Sequence, residues 1–405
     1  METPLVTTQD VAPPLTDPVA VARHLGAEFA KEAPQRDTER RFAYAEIDLL
    51  RRSGLTALRV PTEYGGYGAD ARTVCDVLSA LGEGDPNIAQ MYYIHTYGVG
   101  IANFGIMDES GRAELNRRLV EGMMITNAFS EITTKDVFTY SMKVEEQPNG
   151  DFLLNGRKFY CTGSLGGDVF FVLAVTPEGD VKIGYVPTDA PGVTIHEDWS
   201  GMGQKTTASG TTEFKDVRLP KEYLVDTAPL DVPESIWGGL GQLMFAAIWI
   251  GVGRAALKDA VTYVTTKARP WGASGYERAA DDPYKQAEIG EMHMQLMVAE
   301  GALERALQVR EQRSVSEWAA KSEDDRAWVS ATGGEANVIV SRAVMDIGER
   351  LFAVCGASSA LEKYAYDRHW RNVRTMSLHD PSDYKVKWAG DWVLNGKRPP
   401  VTSHN

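Results

Sequence analysis

Residues 150–161, GDFLLNGRKFYC, and residues 168–176, DVFFVLAVT, decide the fold. Short runs rich in valine, leucine and aromatics, with Pro-Asn-Gly at 148–150 and Asn-Gly at 155–156 beside them, read as strands joined by tight turns. YSMKVEEQ (140–147), VKIGYVPT (181–188) and TTEFKDVRLP (211–220) have the same texture, so a β region runs from Thr126 to about Leu224. On either side the spacing changes. AVARHLGAEFAKEA (20–33) and YAEIDLLRRSGL (44–55) place apolar residues three and four apart, as amphipathic helices do, and Gly54 fits a helix stop. Beyond Asp231 the helical pattern returns over 238–267, 284–312, 324–355 and 382–393. The expected layout is an N-terminal α-helical domain (1–125), a middle β-barrel or sandwich domain (126–232) and a C-terminal four-helix bundle (233–405). Residues 1–18 read as a loose arm, and PTEYGGYG at 61–68 as a turn between helices.

With 405 residues and a formal net charge of −14, the chain lacks the basic balance that nucleic acid or an anionic membrane demands. Cys75, Cys161 and Cys355 lie far apart with no metal spacing, which suits a reducing cytoplasm. The N-terminus carries no basic-then-apolar leader pattern. The longest apolar stretch, Leu243 to Gly253, is too short to span a bilayer. Gly251, Gly253 and Ala256 imitate a dinucleotide fingerprint, but no strand precedes them, so the sequence offers no NAD(P)H site.

PTEYGGYG (61–68), NAFSE (127–131), NGRKFYCTG (155–163) and FKDVRLP (214–220) resemble, in order and spacing, the acyl-CoA dehydrogenases. WRNVRTMSLHDP (370–381), KARPW (267–271) and DDPY (281–284) resemble the flavin monooxygenase branch of that fold, the group of the dibenzothiophene monooxygenases. The resemblance implies FMN, bound as FMNH2, with O2 as co-substrate and a C4a-hydroperoxyflavin as the oxygenating species. It implies a separate NAD(P)H:flavin reductase, a homotetramer, and a small substrate, expected here to be an aromatic sulfur or nitrogen compound such as a thiophene, sulfonamide or arylamine.

It also implies a site. Thr162 would sit near the flavin N5, with Tyr160 and Cys161 beside it. Asn127, Ala128, Phe129, Ser130 and Glu131 would wrap the pyrimidine edge. Trp199 and Ser209 would belong to a loop covering the flavin. Arg269 would reach the FMN phosphate, often that of a neighbouring subunit. The dehydrogenases' Gly-Gly-x-Gly is degraded to a stretch containing Ala357 and Ser358, which favours FMN over FAD. His379 and His95 are the candidate proton-handling groups, because an imidazole titrates near neutrality. Tyr92, Tyr93, Tyr97 and Met376 are candidate pocket residues. His24, His196, His293, His369 and His404 are expected to be structural or solvent-facing. The Pro-Ala-Gly-Ser that dehydrogenases carry after NAFSE is replaced by Ile132, Thr133, Thr134 and Lys135, which removes part of a CoA site. The rival reading is an FAD-dependent acyl-CoA dehydrogenase with Asp380 as base; a third is a flavin-storing protein without turnover.

Overall fold

A computed structural model describes residues 16–136, 139–227 and 235–400. The expected domain boundary at 232–233 and most of the N-terminal arm lie outside the described residues.

The first lobe comprises α1 (Pro18–Ala30), α2 (Ala33–Glu39), α3 (Tyr44–Arg52), α4 (Ala71–Gly84), α5 (Pro86–Phe104) and α6 (Glu109–Val120). Four of these begin at aspartate caps, α6 at Asp108, which accepts from Ser110 N–H. Asp17, Asp70 and Asp85 accept the backbone N–H of Ala20, Thr73 and Asn87, and Pro18 and Pro86 occupy first-turn positions where no N–H is needed. α1 and α4 touch backbone to backbone. A Cβ on Gly26 would lie 2.4 Å from the Ala80 carbonyl, so only glycine permits the contact.

The middle lobe is one nine-stranded sheet: β1 (Ile106–Met107), β2 (Ile125–Ala128), β3 (Lys143–Glu146), β4 (Phe152–Lys158), β5 (Val169–Val175), β6 (Val181–Pro187), β7 (Val193–Ile195), β8 (Thr212–Leu219) and β9 (Leu224–Asp226). Its order is β1-β9-β6-β5-β3-β4-β8-β7, with β2 parallel to β5. The sheet curls so that β5 and β6 face β4 and β8 across a core of Leu154, Phe170, Val172, Val186, Phe214, Val217 and Leu219. Phe170 and Phe214 meet edge to face at 5.7 Å.

The last lobe is built on α7 (Trp237–Thr266), α8 (Pro283–Arg313) and α9 (Glu323–Cys355), completed by α10 (Asp367–Met376) and α11 (Ser382–Asn395). α7 is long and apolar enough to cross a bilayer, yet 83% of its most apolar window is buried. It packs on α4 and α5 on one side and on α8 and α9 on the other, which explains why it is apolar nearly all round.

Candidate active site

The end of β4 and the loop before β8 are laced together. Cys161 N–H donates to Gly210 O (3.2 Å) and Gly163 N–H to Thr207 O (2.8 Å). Tyr160, Gln204 and Ala208 all take left-handed backbone angles (φ 56°, 49° and 48°), a conformation that costs free energy for residues other than glycine and that clusters at functional sites. Inside this knot, buried hydroxyls form a chain. Thr162 Oγ1 lies 2.8 Å from Ser209 Oγ, which lies 2.7 Å from Thr207 Oγ1, which donates to Gln204 O at 2.9 Å. A carbonyl accepts only, so each hydroxyl proton points toward Gln204. Thr162 is thereby left presenting lone pairs. Trp199 Nε1 donates to the same carbonyl (2.7 Å), and its ring meets Tyr160 edge to face at 6.0 Å.

The NAFSE segment is only partly available to a ligand. Asn127 Oδ1 is buried without a hydrogen-bond partner among the described residues. Ala128 belongs to the β core, and Phe129 packs edge-on against Phe171 at 4.6 Å. Ser130 is exposed, and its carbonyl accepts from Phe159 N–H at 2.9 Å. The Glu131 side chain departs from the expected cofactor role. Its carboxylate is buried against Lys158 Nζ (2.7 Å) and accepts the N–H groups of Ser141 (2.9 Å) and Met142 (3.1 Å). Burial opposes its ionisation, but these donors outweigh that and hold it below the ordinary carboxylate range. Cys161 is buried, its thiol pushed up to about 12 by desolvation, so it contributes backbone alone.

α5 presents two faces. Tyr92 and His95 turn toward the first lobe, and here the structure corrects the sequence reading. His95 is 1% exposed; its Nδ1 accepts Ile125 N–H (3.0 Å) and its Nε2 pairs with Thr56 O (2.9 Å). Both ring nitrogens are committed to backbone, so His95 is a neutral core strut rather than a proton-handling group. Tyr92 is likewise core, its hydroxyl donating to Leu55 O at 2.8 Å. Burial drives the His95 pKa down to about 4. Between about pH 6.5 and 4 the unfolded chain takes up a proton that the folded chain refuses, so stability falls as pH falls. For a shift of this size the loss is on the order of 3 kcal/mol. His95→Phe is expected to cost roughly 2–4 kcal/mol at pH 7, by stranding two backbone groups, and to flatten the acid limb of denaturant-measured stability. An unchanged acid limb contradicts this assignment.

The other face of α5 looks at His379. Tyr93 and Tyr97 lie 5.9 Å apart; Tyr93 is 4.7 Å from Phe245, which is 5.0 Å from the His379 ring. His379 Nδ1 pairs with Asp380 Oδ1 at 3.1 Å. Asp380 Oδ2 accepts from Gln242 Nε2 (2.6 Å) and Lys385 Nζ (3.2 Å). A carboxylate held this way orients the imidazole and is not poised as a base, which removes the footing of the dehydrogenase reading. Burial and the Asp380 charge both keep the Tyr93 phenol protonated. Met376, expected in the pocket, is 3% exposed and instead ties α10 to the Gln204 loop, its Sδ accepting Gln204 Nε2 at 2.8 Å. That contact joins the Thr162 hydroxyl chain to the turn bearing His379, whose N–H bonds Met376 O.

Arg269, Ala357 and Ser358 are not brought to this place. They are exposed at the far end of the bundle, where Lys267 lies over the Tyr364 ring at 4.7 Å. From Phe245 to Thr266 at the end of α7 is about 32 Å at 1.5 Å per residue, well beyond the length of one FMN. Among the other histidines, His369 is buried and bonded to Asp259 (2.8 Å). Sequence reasoning missed Lys385 and Gln242. Lys385 did carry a signal: a charge at a position shared with Trp388, Ala389 and Trp392, the apolar face of α11.

A helical lobe, a curled sheet and a helical bundle that meet at a hydroxyl chain and a braced histidine define a flavin-enzyme architecture, and the comparisons agree. Residues 19–124, 127–217 and 243–383 match the N-terminal, middle and C-terminal domains of acyl-CoA dehydrogenase, and the chain belongs to that family. Within it the chain is 32% identical, over 95% of its length and 94% of the relative's, to dibenzothiophene monooxygenase from Rhodococcus erythropolis. Among solved structures, FMN-bound TdsC from Paenibacillus sp. A11-2 matches with a TM-score of 0.89 at 28% identity, covering 96% of this chain and 100% of that one. Methanesulfinate monooxygenase MsuC from Pseudomonas fluorescens matches with a TM-score of 0.89 at 31% identity and the same coverage.

Proposed function

We propose that the protein is a two-component flavin monooxygenase. It takes reduced FMN from a separate NAD(P)H:flavin reductase and uses O2 to oxygenate a small aromatic molecule at sulfur or nitrogen. One observation carries the reading: Thr162, turned by its hydroxyl chain to accept a proton donor, is tied through Gln204 and Met376 to the turn that holds His379. The N5–H of a reduced flavin is a donor of the kind that such an oxygen accepts. The unpartnered Asn127 Oδ1 also fits a flavin or substrate N–H.

Bound reduced FMN supplies the electrons and the centre at which O2 is activated. Overall, one oxygen atom joins the substrate's lone pair, the other leaves as water, and two electrons and two protons come from the reduced flavin. The chain's own residues do the rest. Thr162 orients the N5 edge, and backbone from Asn127 to Ser130 holds the pyrimidine edge. Trp199 and Tyr160 wall the outer face. His379 Nε2 is the atom at which a proton is held or moved. Tyr93, Tyr97 and Phe245 give the substrate an aromatic wall and keep water out. Arg269, with Ala357 and Ser358, serves the phosphate of a second copy's FMN, which fits a homotetramer. A cytoplasmic setting suits three free, buried cysteines and a partner that draws on NAD(P)H.

The test supplies the protein and reduced FMN with isotopically labelled O2 and, in turn, dibenzothiophene, indole and methanesulfinate. One labelled oxygen in an aromatic product is the expected result. Label only in the methanesulfinate product overturns the aromatic class. No labelled product, with H2O2 equal to the FMN oxidised, overturns the monooxygenase.

A further inference from the structure

We propose that Lys385 is the positioning residue for His379: acting through Asp380, it fixes the orientation and the charge state of the imidazole. The Lys385 side chain is 4% exposed, and its ammonium meets Asp380 Oδ2 (3.2 Å), Asn337 Oδ1 (3.2 Å) and Gln242 Oε1. An ammonium has three protons, and three acceptors receive them. Gln242 Nε2 holds the same Asp380 oxygen from α7. Two donors on Oδ2 clamp the carboxylate plane, and Oδ1 is thereby aimed at His379 Nδ1. The protonated tautomer at Nδ1 follows, and the proton-exchanging atom becomes Nε2.

The charge argument is independent of orientation. A bare buried carboxylate beside an imidazole would stabilise imidazolium over a wide pH range. Here the Lys385 ammonium lies against that carboxylate and offsets its charge, so the imidazole faces an ion pair rather than a bare anion. The groups facing this cluster are Tyr93 and Tyr97 from α5, both kept protonated by burial, Gln242 and Phe245 from α7, Asn337 from α9 and Lys385 from α11. Among these described residues, Lys385 and Asp380 carry the formal charges. Burial pulls the Lys385 pKa down and Asp380 opposes that pull, so the pair depends on its own internal balance. A merely structural pair, tying α11 to α7 and α9, would affect stability and leave the His379 titration where it is.

The proposal rests on the monooxygenase reading only for its effect on turnover. Its test is made on flavin-free protein, so the two can fail separately. The His379 titration is followed by NMR of histidine ring carbons, the signal being assigned by its loss in His379→Gln. Lys385→Met is expected to raise the His379 pKa by about one unit, while Lys385→Arg moves it by only a few tenths. Lys385→Gln, which keeps a donor for Asp380 and removes only the charge, is expected to raise it as well, and stands in if the methionine variant does not fold. In an Asp380→Asn background the buried ammonium loses the counter-ion that opposes its deprotonation, so the Lys385 substitutions remove little charge and are expected to have little effect. A His379 titration unmoved by loss of the Lys385 charge overturns the proposal, as does a full shift that persists without Asp380.

Discussion

His379→Ala is expected to uncouple the enzyme: reduced FMN still binds and still consumes O2, but product formation falls by about 100-fold or more and H2O2 takes its place. Asp380 keeps Lys385 and Gln242 as partners when the imidazole is removed, so the cluster loses one member without stranding a buried charge. Tyr93 and Phe245 remain to wall the pocket. The loss therefore falls on proton handling more than on folding. The measurement is the ratio of oxygenated product to H2O2, with FMN affinity as the control. A variant that keeps the wild-type ratio removes His379 from the chemistry. A parallel loss of FMN affinity would make its role one of binding.

The second large effect concerns Arg269. Arg269→Ala is expected to weaken FMN binding by 10-fold or more, since a guanidinium makes paired bonds to phosphate and alanine makes none. Roughly 32 Å of α7 separates Phe245 from Thr266, so under the proposed function Arg269 and His379 of one chain would serve different flavins. The two defects are therefore expected to complement. Arg269→Ala alone and His379→Ala alone are each poorly active, whereas copies unfolded and refolded together at equal amounts recover roughly a quarter of wild-type activity, because half the pairs are mixed and each mixed pair rebuilds one intact site. No recovery in mixed oligomers contradicts a shared site.

Much of this architecture is legible in the sequence because the elements obey simple periodicities. The long helices at 237–266, 283–313 and 323–355 lie within a residue or two of their amphipathic patterns. α10 is less legible that way. Its packed face, His369, Asn372, Val373 and Met376, follows the i, i+3, i+4, i+7 spacing, but the helix is only ten residues long and just two of those four positions are apolar, so the pattern is short and easily passed over. Thr162 and Ser209, singled out from loop sequence 47 residues apart, lie 2.8 Å from one another in the structure. α5 defeated the reading because almost every residue from Pro86 to Ala102 is buried. Without an exposed face, the pattern cannot say which side meets the site, and His95, two residues from both Tyr93 and Tyr97, lies about half a turn (~200°) away from them around the helix. Glu131 misled for a related reason. Its partner Lys158 lies 27 residues along the chain, a separation that no local pattern reports.

The most direct test of oxygen activation is rapid mixing of anaerobic protein, loaded with reduced FMN, against oxygenated buffer, with FMN absorbance and H2O2 followed together. The account predicts that H2O2 release lags well behind O2 consumption in the wild type and that the lag disappears in His379→Ala and Thr162→Ala. Immediate return of oxidised FMN with simultaneous, stoichiometric H2O2, together with bleaching of the oxidised flavin by an acyl-CoA in the absence of O2, would contradict it.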